Sequence, residues 1–305
     1  MKIQNRIWLA VAAALLLSGC FAAPAAPPES SSAPSTEATT VPTEPTIPSV
    51  PPTSEKRIGW YDEGDNSYYY DENGVMTTGW LEINGISYYF REDGRMAQGM
   101  VTIEDVPHFF TSAGVPIYLV NPWYYVPEGY APDLVELDSA ISTSGQKVDR
   151  SCYDALMQMI ADCNKECPRV CVVSSYRTQE YQEGLFQRKI NFYLNQGYNQ
   201  EDAVRLAGTV IAIPGTSEHQ LGLAVDIIDT RSWNLTEEQA SLPAQQWLME
   251  NCWKYGFILR YPKDKTEETG IIYEPWHYRY VGKDVAKELY NAGLTLEEYI
   301  TALTK

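Results

Sequence analysis

His219 and Asp226 stand seven residues apart on either side of Gly222, in a chain that holds only three histidines. The spacing matters because no regular element lets this pair share an ion. On a helix the two would lie about 10 Å apart along the axis, and in a strand roughly 23 Å apart on opposite faces. Only a reversal between them brings them together. Gln220-Leu221-Gly222 supplies one, since glycine tolerates the backbone angles of a tight turn. A second histidine, His277, closes the run Tyr273-Glu274-Pro275-Trp276-His277. A catalytic zinc takes three ligands from histidine and carboxylate and keeps one position for water. His219, Asp226 and His277 make such a set, and Glu274 remains three residues before the last of them. Zinc lowers the pKa of its water to about 7, and a carboxylate in reach can take that proton and return it to a leaving amine. The competing reading is two histidines that each bond a neighbouring carboxylate, with no ion.

These groups need a scaffold. Residues 223–228 read as a largely buried strand carrying one acid, which is costly unless paired or metal-bound. Asp149 precedes an amphipathic helix over 150–165, with Ala155, Met159 and Ile160 on one face. A buried strand over 169–175 follows, then a helix opened by Thr178 as N-cap and running to Tyr193. Strand-rich segments at 211–230 and 256–281 come next, and 283–303 read as one terminal helix. The mixture predicts an α+β domain over 119–305.

The rest of the chain bears on place and partners. Lys2 and Arg6 precede an apolar run over 7–17 that ends in Leu17-Ser18-Gly19-Cys20. That pattern is an export signal, too short to span a membrane. Its last four residues resemble a bacterial lipobox, with Cys20 as the lipid-modified first residue of the mature chain; an ordinary signal peptide containing cysteine is the alternative. The expected location is extracytoplasmic, anchored by lipid to the outer face of the cytoplasmic membrane. Residues 21–56 are dominated by Ala, Pro, Ser, Thr and Glu and make a tether that reaches on the order of 100 Å. A net charge of −17 argues against nucleic acid and against docking on anionic lipid. Beyond Cys20 lie Cys152, Cys163, Cys167, Cys171 and Cys252, an odd set. Cys152 and Cys163 sit about 16 Å apart along the predicted helix and cannot pair. Buried small hydrophobes are expected, with room for one disulfide.

Between tether and domain, 57–118 repeat with a period of about 20 residues. Gly59-Trp60 with Tyr68-Tyr69-Tyr70 and Asn73-Gly74 recurs as Gly79-Trp80 with Tyr88-Tyr89-Phe90 and Asp93-Gly94. A degraded third copy has Gly99-Met100, His108-Phe109-Phe110 and Ala113-Gly114. Each unit predicts a β-hairpin, too small to stand alone and therefore stacked. The units resemble the wall-binding repeats of choline-binding and glucan-binding surface proteins. That resemblance implies a wall polymer as ligand and Trp60, Trp80 and Tyr88 as groove aromatics, by cation–π contact if the ligand is choline. A spacer whose aromatics merely pack together is the alternative, and His108 is read as structural.

Ser217-x-His219-x-x-Gly222-x-Ala224-x-Asp226, with Glu274-x-x-His277, resembles the zinc D-Ala-D-Ala carboxypeptidase family of the VanY type. The likeness extends over 120–282 and takes in Ser174-Ser175-Tyr176-Arg177, Gln182 and Arg260-Tyr261-Pro262. Tyr261 and the run Glu274–Tyr278 are similar to the LdcB subgroup of L,D-carboxypeptidases. The resemblance implies a hedgehog/DD-peptidase-like fold, with Zn2+ on His219, Asp226 and His277 and Glu274 as general base and acid. It implies that Arg177 faces the substrate and that Gln182, Ser217 and Tyr261 contact the peptide. Arg177 has an independent case, because guanidinium grips a C-terminal carboxylate in a fork or polarises a scissile carbonyl. A plain ion pair is its bland alternative, and Ser217 also suits orienting a ligand. The implied activity is removal of the terminal D-Ala from peptidoglycan stem peptides, D,D- or L,D-specific. A non-catalytic wall-binding lipoprotein and an endopeptidase of cross-links are the competing readings.

Overall fold

A computed structural model describes residues 56–304. The export signal, Cys20 and all but the last residue of the tether lie outside the described residues. Three hairpins come first: β1 (Gly59–Glu63) with β2 (Asn66–Tyr70), β3 (Gly79–Ile83) with β4 (Ile86–Phe90), and β5 (Gly99–Ile103) with β6 (Val106–Phe110). Their registers are equivalent, with Gly59 facing Tyr70, Gly79 facing Phe90 and Gly99 facing Phe110. β7 (Pro116–Ile117) adds a third strand to the last hairpin. Each hairpin leans on the next through a methionine: a side chain at Gly94 or Gly114 would occupy the space of Met76 or Met96. That packing explains the glycine in the second and third units; in the first, a Cβ at Gly74 would meet Lys56 instead, and all three glycines share a left-handed φ of 76–79°.

The larger part follows with β8 (Leu134–Glu136), β9 (Lys147–Asp149), α1 (Arg150–Glu166), β10 (Val170–Ser174), α2 (Gln179–Asn195) and α3 (Gln200–Gly208). It continues with β11 (Ala224–Asp229), α4 (Pro243–Asn251), β12 (Phe257–Leu259), α5 (Thr266–Thr269), β13 (His277–Tyr280), α6 (Lys283–Ala292) and α7 (Leu296–Leu303). The fold is α+β. Asp149 caps α1 by accepting from the Ser151 amide, and Thr178 caps α2 by accepting from the Tyr181 amide. α1 buries Cys152, Leu156, Met159, Ile160 and Cys163; Leu156 takes the inward place expected of Ala155, which is only half-buried. The single terminal helix expected over 283–303 is two helices. Gly293, at φ 64°, ends the first, and a capping box between Thr295 and Glu298 starts the second. α3 and α4 were not foreseen from the sequence. The cysteines carry no disulfide: all five among the described residues are free, and only Cys167 is not buried.

One antiparallel sheet, in the order β10-β11-β13-β12, organises this part. Successive side chains point to opposite faces of a strand. Val170, Val172, Val225, Ile227, Phe257 and Tyr278 therefore share one face and join Leu156, Met159 and Ile160 of α1 and Leu248 of α4 in the main core. Asp226 and His277, one step out of phase, point to the other face. A second cluster joins the hairpins to the C-terminal helices: Phe109, Ile117 and Leu119 pack with Ile258, Val285, Leu289, Leu296 and Ile300.

Candidate metal centre and cleft

Asp226 and His277 face each other across β11 and β13 as paired residues, and Ser174 pairs with Asp226 from β10 after a register shift beyond Val172. His219 comes from a 3-10 turn, Glu218–Leu221, that precedes β11. Gly222 ends that turn at φ 73°, and a Cβ there would lie 3.0 Å from the Asp149 backbone nitrogen. The reversal between His219 and Asp226 thus falls where the spacing required it. One ligand atom from each of His219, Asp226 and His277 lies within 4.8 Å of the others, all three residues buried. His219 Nε2 is 3.4 Å from Asp226 Oδ2, and His277 Nδ1 is 3.2 Å from Asp226 Oδ1. Bonds of about 2.0–2.1 Å in a tetrahedral zinc site place ligand atoms roughly 3.3 Å apart.

Two further observations fit a cation. Asp226 Oδ1 is sealed from solvent without a hydrogen-bond partner. His219 Nδ1 lies 2.8 Å from the Ser175 carbonyl, so that nitrogen donates and the Nε2 lone pair is free to face the cluster. The rings of His219 and His277 meet edge-on with centroids 4.8 Å apart. The donor set, two imidazoles and one carboxylate, is the one zinc accepts in open catalytic sites.

Glu274 lies in the loop before β13, with Pro275 and Trp276 between it and the strand. Its amide donates to the Tyr261 carbonyl, and its Oε2 is 3.5 Å from His277 Nδ1. Burial pushes Glu274 up to about 8 despite the favourable charges of His277 and Arg177. Burial alone would lower His277, but the carboxylates of Asp226 and Glu218 beside it hold it up at about 9. His219 goes the other way: burial, reinforced by Arg177, lowers it to about 4. Asp226 is also desolvated, yet His219, His277 and Arg177 keep it well below the carboxylate range.

Arg177 follows β10 and reaches back. Its Nη2 donates to Asp226 Oδ2 at 2.8 Å and to Ser174 Oγ at 2.8 Å, and its Nη1 donates to Gln182 Oε1 at 3.4 Å. It is an ion-pair partner of a cluster carboxylate and also lines the cleft. That cleft, about 210 Å³, has Arg177, Ser217, His219, Asp226, Glu274 and His277 in its walls, with Tyr261 and Lys189 beside them. Tyr261 sits with its ring centroid 4.7 Å from that of His277. Gln182 is the exception among the expected contacts. It is fully buried, gives its amide to the Ala212 carbonyl at 2.7 Å, and so joins Arg177 to the cleft wall without lining it.

Two residues of this region escaped the sequence reading. Lys189 of α2 adds a cation to the wall, and nothing in its helical run distinguishes it from a solvated surface lysine. Glu218 is fully buried between Arg260 and Arg279 and adjoins His277. Its only signal was its place beside His219.

The aromatics of the hairpins divide into two successive junctions. Trp60 meets Tyr88 at 5.0 Å, Tyr69 at 5.4 Å and Phe90 at 5.7 Å. Trp80 belongs to the next, with Tyr89 at 5.2 Å, His108 at 5.7 Å and Phe110 at 5.8 Å. Of the three aromatics expected to line a wall-ligand groove, Trp60 and Tyr88 share the first junction and Trp80 lies in the second, because each tryptophan packs against the following hairpin. Both tryptophans remain exposed.

Known proteins share both parts. A model described as VanY, D-alanyl-D-alanine carboxypeptidase, matches residues 145–283, and a choline-binding repeat model matches 58–97. A D-alanyl-D-alanine carboxypeptidase of Enterococcus faecalis is 40% identical over 184 residues, which are 60% of this chain and 65% of that protein. Among solved structures, a vancomycin-resistance D,D-pentapeptidase VanY variant in complex with Zn(II) is 40% identical, with a TM-score of 0.54 over 60% of this chain and 97% of its own. The LdcB LD-carboxypeptidase is 33% identical, with a TM-score of 0.55 over 68% of this chain and 95% of its own.

Proposed function

This chain belongs to the VanY D-alanyl-D-alanine carboxypeptidase family, and from that premise we propose that it removes the terminal D-alanine from peptidoglycan stem peptides. The observation that carries the reading is the gathering of His219, Asp226 and His277 ligand atoms within 4.8 Å, at the wall of a cleft that also holds Glu274. In this reading those three residues hold Zn2+ and Glu274 is the catalytic base and acid. Bound there, the cation supplies Lewis acidity and water acidified to a pKa of about 7.

The chain's own residues then divide the work. Glu274 Oε2, on the cleft side of His277 Nδ1, accepts the proton of the attacking water and passes it to the departing amine. Arg177 presents fixed positive charge beside the cluster, where a carbonyl oxygen gains negative charge as the amide is attacked. Gln182 and Ser174 hold that guanidinium in place. Ser217 and Tyr261 line the path of the peptide, and Lys189 adds a second cation for an anionic substrate.

The hairpins serve in this proposal as an attachment to a cell-wall polymer. Trp60 with Tyr88, and Trp80 with His108, offer exposed aromatic faces suited to a cationic or sugar group. The match to a choline-binding repeat supports that reading. Lys2, Arg6 and Leu17-Ser18-Gly19-Cys20 support export and a lipid anchor at Cys20, with stem peptides, wall polymer and membrane as partners and no nucleic acid.

Purified protein loaded with Zn2+ and given isolated penta- and tetrapeptide stems tests the activity by mass spectrometry. Loss of one alanine from the pentapeptide alone means D,D specificity; loss from the tetrapeptide means L,D. If neither peptide shortens, the wall-binding reading replaces the enzyme.

A further inference from the structure

We propose that Glu218 is the positioning residue for His277, fixing which ring nitrogen faces the cation. The inference rests on the metallopeptidase reading and deepens it. Glu218 is fully buried, and its two oxygens are treated unequally. Oε1 accepts from Arg260 Nε and from Arg279 Nη1, each at 2.7 Å. Oε2 has no hydrogen-bond partner, and neither has His277 Nε2; both atoms are closed off from water. The two lie 3.6 Å apart, facing one another.

A buried acceptor and a buried ring nitrogen left unpaired are each destabilising. Placed opposite each other they resolve if Nε2 carries the proton and Glu218 accepts it. That tautomer leaves the lone pair on Nδ1, the nitrogen 3.2 Å from Asp226 Oδ1 and 3.5 Å from Glu274 Oε2, which is the cluster side. The carboxylate thus does for His277 what the Ser175 carbonyl does for His219. Glu218 is itself held in place. Glu297 of α7 grips Arg260 with both oxygens, at 2.9 and 2.6 Å, and Asn121 donates to Glu297 at 3.0 Å. Arg279 donates to the Tyr118 carbonyl at 2.7 Å. The ring of one ligand is therefore set through groups on the last helix and on the segment that leaves the hairpins.

Zn2+ affinity, measured by competition with a chromophoric chelator, is the test. Glu218→Gln should weaken binding about 10- to 100-fold, the range for a partner of a metal-bound histidine. Glu297→Gln loosens the same network without touching His277 and should keep the parental affinity; thermal melts of the metal-free variants report the fold. Because Glu218→Gln leaves two buried arginines short of charge and can fail to fold, the parent protein gives a second reading. Imidazole nitrogen NMR of the zinc-loaded parent should find the His277 proton on Nε2 and Nδ1 coordinated. A proton on Nδ1, or a Glu218→Gln variant that binds zinc like the parent, overturns the inference alone. Equal loss in both variants also overturns it, since that is the mark of a purely structural network. A parent that binds no zinc overturns the metallopeptidase reading, and this inference with it.

Discussion

Glu274 carries the proposal's heaviest demand at the residue scale, because the same burial that raises its pKa also places it to exchange protons. Glu274→Gln keeps the shape and removes the base. It should lower kcat by roughly 10²- to 10⁴-fold while zinc affinity and melting temperature stay near parental; peptide turnover and chelator competition check both halves. The pKa directions yield a second prediction. At pH 7 the metal-free protein holds protons on His277, at about 9, and on Glu274, at about 8. A cation on Nδ1 expels the first and disfavours the second. Zinc binding at pH 7 should therefore release protons, and affinity should climb with pH until those groups have ionised. Calorimetry in two buffers of different ionisation enthalpy measures the release, and a value of zero contradicts the assignment. Stability of the metal-free form has the matching sign. Both folded values exceed the ordinary 6.5 of histidine and 4.5 of glutamate, so each contribution is complete below that ordinary value, declines as pH rises above it, and is gone once pH has passed about 9 for His277 and about 8 for Glu274. His219 acts oppositely: lowered to about 4, it penalises the fold as pH drops from 6.5 towards 4.

Elements decide whether those residues meet. The turn at Gly222 is the sharpest case, with φ 73° and the Asp149 backbone nitrogen only 3.0 Å from where a Cβ would stand. Gly222→Ala should cost at least about 1–2 kcal/mol, read by chemical denaturation, and should weaken zinc binding by shifting His219 against Asp226. This turn was legible in the sequence because two ligands seven residues apart permit no other geometry. The strand carrying Asp226 was legible from its apolar run, and α1 and α2 from their caps and periodicity. Other features were not. α3 has a short, charge-rich sequence whose inward Ala203 and Ala207 leave a weak pattern. The break at Gly293 was hidden because both flanking segments are amphipathic with helical spacing. Glu218 reads as a surface acid until its burial between two arginines is seen, since charge pairs distant in sequence leave no local trace. Gln182 was legible as a site residue but not in its task, which depends on where the Ala212 carbonyl comes to lie.

For the whole molecule, the hairpins are not a free appendage. Phe109, Ile117 and Leu119 bury themselves with Val285, Leu289, Leu296 and Ile300. Removing 57–118 should expose that surface and lower the melting temperature of the rest, while the intact chain should melt in one calorimetric transition. Two separate transitions would mean that the shared cluster contributes little. Leu296→Ala, in the middle of it, should cost about 2–5 kcal/mol. The pairing of Asp226 with His277 across neighbouring strands also reaches beyond the site. Slipping β13 by one residue against β11 would send His277 to the opposite face, because side chains alternate. A misaligned molecule would then offer the ion only part of its ligand set and gain little from it. On the proposed zinc reading, zinc present during refolding would thereby act as an arbiter among strand alignments, enriching chains that have paired correctly, and refolding yield with and without zinc measures it.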